Sequence, residues 1–229
     1  MTGHGFAARD SASLERIVLQ IESDCVTARR LERGEFILYV EGPRDREILR
    51  AWAYRLQPAL ARQIIGASVI LGGRQPQRAL RHFRSRGGTA SGVRALCILD
   101  RDDGGASQPS SEGESGLEFF TWSRRHIESY LLVPGALRRA LCLGESDAQL
   151  ERILDRHLPP AGDESALRTV DAKRFLGPNG ILPRALGRPV PLSGVARATR
   201  ENELHPDVHE VFGRLEGLLA VAEPGPLAR

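Results

Sequence analysis

Lysine is all but missing from this chain. Of 32 basic residues, 31 are arginine, and Lys173 stands alone. Because that lysine lies in VDAKRFL, no phosphate loop of the form GxxxxGKS or GxxxxGKT exists, and ATP hydrolysis by such a loop is excluded. Cysteine is scarce. Cys25, Cys97 and Cys142 are far apart and odd in number, without a CxxC pair. This speaks against a disulfide framework or zinc ribbon and for a reducing, cytoplasmic setting, with Cys97 an inert core thiol. Aromatics are 5% of the chain, so Trp52, Tyr54, Trp122 and Tyr130 read mostly as core. No apolar run reaches the roughly 20 residues of a membrane span. The opening MTGHGFAARDSASLER lacks the apolar centre of a signal peptide, so no membrane partner is expected. No serine or cysteine nucleophile motif is present.

Acids are missing over one long stretch. Between Glu47 and Asp100 there is no Asp or Glu, while Arg50, Arg55, Arg62, Arg74, Arg78, Arg81, Arg84, Arg86 and Arg94 fall there with His82. The stretch ends abruptly in Asp100, Asp102 and Asp103. A basic field beside a knot of carboxylates suits a polyanion held next to a metal, with Arg74, Arg78 and Arg81 as phosphate contacts. The plainer reading is a solvated helix face. The net charge of only +3 conceals this asymmetry.

What is present is an ordinary globular balance, 41% hydrophobic and 27% charged over 229 residues, enough for one domain with a helical appendage. Residues 1–12 are rich in Gly, Ala and Ser. Residues 13–33 space Leu14, Ile17, Val18 and Ile21 on one helical face. FILYV (36–40), ASVIL (67–71) and ALCIL (95–99) are short, apolar and unalternated, as in strands covered on both faces. Between them the pattern predicts helices over 44–56 and 76–86, entered through Pro43 and Pro76. That order implies a parallel sheet. A low-complexity loop, 104–116, precedes a fourth strand at 117–122 and an expected helix at 124–132. Beyond it the chain reads as helical. Ser146 and Gln149 form a capping box before DAQLERILDRHL, 166–176 predicts one helix, and 206–222 predicts a last one. The expected divisions are 1–34, a tail and helix; 35–135, an α/β core; and 136–229, a helical subdomain packed on it.

Three acidic groups fall at the carboxyl ends of these strands, where ligands of open α/β sheets gather. Glu41 and Asp45 follow the first, Asp100 and Asp102 the third, and Glu128 lies after the fourth. Carboxylates without His or Cys suit Mg2+ or Mn2+. His205 and His209, four apart in HPDVH, lack a third ligand nearby and read as a helix start.

VEGPRD (40–45) followed by LDRDD (99–103) across a strand–helix–strand unit resembles the TOPRIM fold of topoisomerases, primases and several nucleases. WSRRHIESYLL (122–132) resembles the R-x-x-I-E-N-Y-L segment of the OLD (overcoming lysogenization defect) nucleases, with Ser129 in place of Asn. DAKRFLG (171–177) is similar to their G-K-x-L-L helix, with Ala172 in place of Gly. The resemblance spans residues 36–177. It implies a Rossmann-like core with a parallel four-stranded sheet, flanking helices and the carboxyl-terminal helical subdomain. It further implies one or two Mg2+ or Mn2+ ions on Glu41, Asp100, Asp102 and Glu128, with Asp45 serving the second. Two ions ~4 Å apart activate water and stabilise the leaving oxygen of a phosphodiester. Lys173 would neutralise charge developing in the transition state. Arg125 would touch the scissile phosphate or, equally, pair with Glu128 one helical turn on. The implied function is a metal-dependent nuclease of DNA or RNA in anti-phage defence, of the stand-alone kind that works beside a separate ABC-type ATPase. The alternative is a non-catalytic nucleic-acid-binding or sensor module. A strand-passing or priming enzyme is a third reading, for which the chain has little room.

Overall fold

A computed structural model of the chain describes residues 36–101, 109, 113–144, 148–160 and 162–220. The expected amino-terminal helix, Cys25, Asp102, Asp103 and Ser146 lie outside the described residues.

Four strands, β1 (Phe36–Val40), β2 (Ser68–Ile70), β3 (Arg94–Leu99) and β4 (Leu117–Thr121), form one sheet in the order β2-β1-β3-β4. All three pairings are parallel. Alternating side chains enter two separate cores. Phe36, Leu38, Val40, Leu96, Ile98 and Phe120 join one, while Tyr39, Ala95, Cys97, Leu99 and Leu117 join the other. Both faces of the central strands are therefore covered, which is why FILYV and ALCIL show no polar alternation. The architecture is α/β, compatible with a Rossmann-like core.

The larger core is built by α1 (Pro43–Leu56) and α2 (Pro58–Ala67), and it continues into the later helices. These are α4 (Pro134–Ala140), α5 (Ala148–His157), α7 (Ala172–Leu176), α8 (Ile181–Leu186), α9 (Leu192–Ala198) and α10 (Pro206–Ala220), while the short α6 (Glu164–Leu167) buries no residue. The smaller core lies under α3 (Pro76–Ser85), through Ala79, Leu80 and Phe83. Trp52, Trp122 and Tyr130 are buried in the larger core, whereas Tyr54 is 43% exposed. Among the described residues no helix is long and apolar enough to cross a membrane.

Three expectations need correction. Helix α2 stands where no element is expected, between the helix 44–56 and the strand 67–71. Pro58 sits in its first turn, where the missing N–H costs nothing. The helix expected over 124–132 is an irregular segment followed by a 3-10 turn, Ile127–Leu131. Its first backbone donors go to side chains, Ser123 N to Asp207 Oδ2 and Arg124 N to the Tyr130 hydroxyl, at 2.9 and 3.0 Å. The helix expected over 166–176 is two, α6 and α7. Asp171 caps the second by accepting from Arg174 N at 2.9 Å, while the Arg168 carbonyl is taken by Arg125 N at 3.1 Å.

Candidate functional site

Strand order reverses between β1 and β3, since the chain leaves β1 for β2 on one side and returns to β3 on the other. The crevice outside such a reversal is the expected ligand site. Glu41 and Asp100, the residues just past β1 and β3, meet there. Asp100 N donates to Glu41 Oε1 at 2.8 Å.

Asp100 is held on every side. Its carbonyl accepts from Arg74 Nε at 3.1 Å, and its Oδ1 accepts from Ile127 N at 3.1 Å. Its Oδ2 is 2.6 Å from the Lys173 ammonium. The chain's one lysine is thus brought across 73 residues to the acid after β3. Helix α7 presents it, and Gly177 closes that helix by donating to the Lys173 carbonyl at 2.9 Å. A Cβ on Gly177 would stand 2.4 Å from that carbonyl oxygen, so only glycine fits.

Asp45, in the first turn of α1, accepts from Gly42 N at 2.8 Å. Burial, then the charge of Asp100, push its carboxyl up to about 7; Glu128 adds to this, while the Gly42 N–H and Lys173 oppose it. Glu128 is 1% exposed, and neither of its carboxylate oxygens accepts a hydrogen bond from another residue. Arg44 Nη1 stands 3.5 Å from it, in ion-pair range. Burial raises the Glu128 pKa, with Asp100 adding to the rise and Lys173 and Arg44 opposing it. Partial burial works against the Lys173 ammonium, but Asp100, Glu128 and Asp45 outweigh it and hold its pKa above the ordinary lysine value.

The two glycines after β2, Gly72 and Gly73, adopt positive φ of 78° and 114° and both donate to the Glu41 carbonyl, at 2.9 and 3.0 Å. Arg78 Nη1 donates to the Leu71 carbonyl at 2.6 Å. Arg74 and Arg78 therefore brace the strand ends as well as lining them with charge. Arg81 is exposed on α3. Arg125 lies beside the cluster, its carbonyl accepting from Arg101 N at 3.2 Å.

The structure thus gathers Glu41, Asp45, Asp100, Glu128 and Lys173. Among the described residues no three His, Cys, Asp or Glu side chains converge as a ready cage for an ion. Several carboxylate oxygens are already engaged, by Asp100 N, Ile127 N, Gly42 N and Lys173. The donor set nevertheless fits a hard divalent cation. It is all oxygen, and it contains a fully buried carboxylate, Glu128, that accepts no hydrogen bond from another residue.

Sequence reasoning missed the network behind the site. Arg124 grips Glu164 through two hydrogen bonds, 2.9 and 2.7 Å, and donates to the Ser129 carbonyl at 2.9 Å. The Tyr130 hydroxyl makes a short hydrogen bond to Asp207, which His205 also contacts. The sequence signal for it is the R-x-x-I-E-N-Y-L resemblance, which covers Arg124 and Tyr130. Glu164 and Asp207 carry no motif. No known family model, curated protein or solved structure matches the chain.

Proposed function

We propose that this protein is a divalent-metal-dependent nuclease, hydrolysing phosphodiester bonds of DNA or RNA at the carboxyl edge of a TOPRIM-type sheet. The observation that carries the reading is the buried Glu128 carboxylate without a hydrogen-bond donor, electrostatically coupled to Asp45, Asp100 and Lys173 at the strand-order reversal. A buried carboxylate that accepts no hydrogen bond from another residue is costly even with Arg44 3.5 Å away, and a bound cation is the usual remedy. Glu41, Asp45, Asp100 and Glu128 would hold Mg2+ or Mn2+, together with Asp102 from outside the described residues. Bound there, the metal supplies Lewis-acid stabilisation of phosphoryl oxygens and a more acidic water. Lys173 offers an ammonium at the same edge for charge developing on the phosphate. Arg74, Arg78, Arg81 and Arg125 give the approach a positive field that draws in a polyanion. The family resemblance extends the proposal to anti-phage defence beside a separate ATPase.

One observation favours the second reading, a nucleic-acid-binding or sensor module. The Lys173–Asp100 pair already neutralises part of the acid cluster. The two readings separate when purified protein is incubated with plasmid, tRNA and oligonucleotides in Mg2+ or Mn2+, with and without chelator. Metal-dependent cleavage that is absent from Asp100→Ala supports the nuclease. Binding without cleavage under every condition supports the sensor.

A further inference from the structure

We propose that Lys173 is an exchangeable counter-ion of the acid cluster: its ammonium occupies Asp100 Oδ2 until a divalent cation takes that oxygen, and the freed lysine then turns toward the phosphate. This rests on the metal reading above and adds an order of events to it.

The two partners differ sharply in freedom. Asp100 is locked by Ile127 N on Oδ1, by Glu41 on its amide and by Arg74 on its carbonyl, and its side chain is 8% exposed. Oδ2 is the oxygen that no backbone group holds. Lys173 reaches it from the open side, with its side chain 43% exposed. Its backbone is pinned in α7 by the Asp171 cap and the Gly177 contact, so release needs only rotation of a four-carbon stem. No helix or strand must move.

Charge decides the direction of exchange. The ammonium faces three acids, Asp100, Glu128 and Asp45; Arg44 stands 3.5 Å from Glu128, yet neither cation gives Glu128 a hydrogen bond. A divalent ion brings twice the charge to the same oxygens. It also accepts several oxygen ligands at once, which an ammonium fixed at the end of one stem cannot match. The residue type suits a contact that must break. An ammonium binds one oxygen as a compact point charge, whereas a guanidinium forks across both and releases less readily. In a chain where arginine fills all 31 other basic positions, lysine stands at the one contact that has to open.

The chain's single lysine makes the test direct. Protein labelled with 15N-lysine carries one side-chain nitrogen signal, that of Lys173. An ammonium held on a carboxylate exchanges its protons slowly and is visible; a released one is averaged away or moves to the free-lysine position. Mg2+ is titrated without nucleic acid, and its binding is followed in parallel by calorimetry. The expected result is loss or displacement of the Nζ signal that saturates together with the heat. Lys173→Met, which removes the competitor while keeping an unbranched stem, should bind Mg2+ roughly tenfold more tightly, an effect of about 1.4 kcal/mol. Heat of Mg2+ binding with an unmoved Nζ signal overturns the exchange and leaves the metal reading standing. Heat from Lys173→Met but none from the wild type overturns it as well, since the lysine is then a permanent plug. No heat from either protein removes both the exchange and the metal site.

Discussion

Arg124 and Glu164, forty residues apart, are joined by both prongs of a guanidinium–carboxylate fork, Nε to Oε1 at 2.9 Å and Nη2 to Oε2 at 2.7 Å. The same guanidinium lies 5.2 Å from the centre of the Tyr130 ring and donates to the Ser129 carbonyl. It therefore ties the turn that carries Glu128 to helix α6, which leads into the lysine-bearing α7. Arg124→Ala leaves the Ser129 carbonyl and Glu164 short of donors. The expected cost is about 2 kcal/mol, a fall in melting temperature of about 4–8 °C for a chain of this size. Arg124→Lys should recover less than half, because a single ammonium cannot reproduce the fork. Thermal unfolding followed by circular dichroism decides it, and an Arg124→Ala melt that overlays the wild type would show the fork to be inconsequential.

The raised Asp45 carboxyl makes a pH-dependent statement about stability. Its ordinary value is 3.8 and its folded value is about 7, so between them the folded state binds more protons than the unfolded one. Metal-free stability contributed by this group is accordingly present at low pH and lost as pH rises through that window. Asp45→Asn keeps an oxygen for the Gly42 N–H and has nothing to titrate. In chelator it should be more stable than the wild type at pH 8, by roughly 1–3 kcal/mol, and the two should converge near pH 4. A stability gap that stays constant from pH 4 to pH 8 would remove Asp45 from the cluster's electrostatics.

Glu128→Gln deletes the charge of the buried carboxylate at nearly constant shape. Without metal the variant should melt above the wild type, since a desolvated charge has gone. With Mg2+ the order should reverse, because the wild type gains a ligand-linked stabilisation that the variant cannot. If Mg2+ raises the melting temperature of both proteins equally, Glu128 is no ligand.

How far the sequence reveals this arrangement depends on which residues the structure uses. The strands are legible because both sheet faces are covered, so FILYV and ALCIL carry no polar residue. The acids at their ends are legible for the same reason, as abrupt interruptions of apolar runs. Lys173 shows itself by rarity. The segment 123–131 is not legible, because its hydrogen bonds are made to Asp207 and Tyr130 rather than along a helix. A residue 84 positions away that accepts one backbone N–H leaves no local pattern. Glu164 and Asp207 are hidden in the same way, ordinary helix-start acids until the fold brings Arg124 and Tyr130 to them.

Lys173→Ala should lower turnover by roughly 100-fold or more, the range for one preorganised stabilising group. Substrate affinity should change little, since the arginines remain. Lys173→Arg should be a poor rescue, because a guanidinium fork on Asp100 releases less readily than the compact ammonium 2.6 Å from its Oδ2. Single-turnover rates at saturating protein separate the two parameters, and a loss confined to affinity would assign Lys173 to binding alone.

The arginines of the acid-free stretch divide by what their side chains hold, and their substitutions should divide likewise. Arg78 donates to the Leu71 carbonyl at the end of the sheet, so Arg78→Glu strikes the fold as well as the field. Arg81, one helical turn on along α3, is exposed and offers a cleaner test of phosphate contact. Each phosphate contact releases condensed counterions, and log affinity falls with log salt by about 0.9 per contact on duplex DNA. Arg81→Glu should weaken binding to unrelated sequences by similar factors and reduce the magnitude of that salt slope by about one, with unfolding unchanged within about 0.5 kcal/mol. Fluorescence anisotropy with two oligonucleotides of unrelated sequence, each across a salt series, gives both quantities. Arg78→Glu should in addition melt earlier, because the Leu71 carbonyl loses its donor. An Arg81→Glu protein with the wild-type salt slope would place the nucleic acid away from α3 and leave Arg74 and Arg125, beside Asp100, as the remaining phosphate contacts.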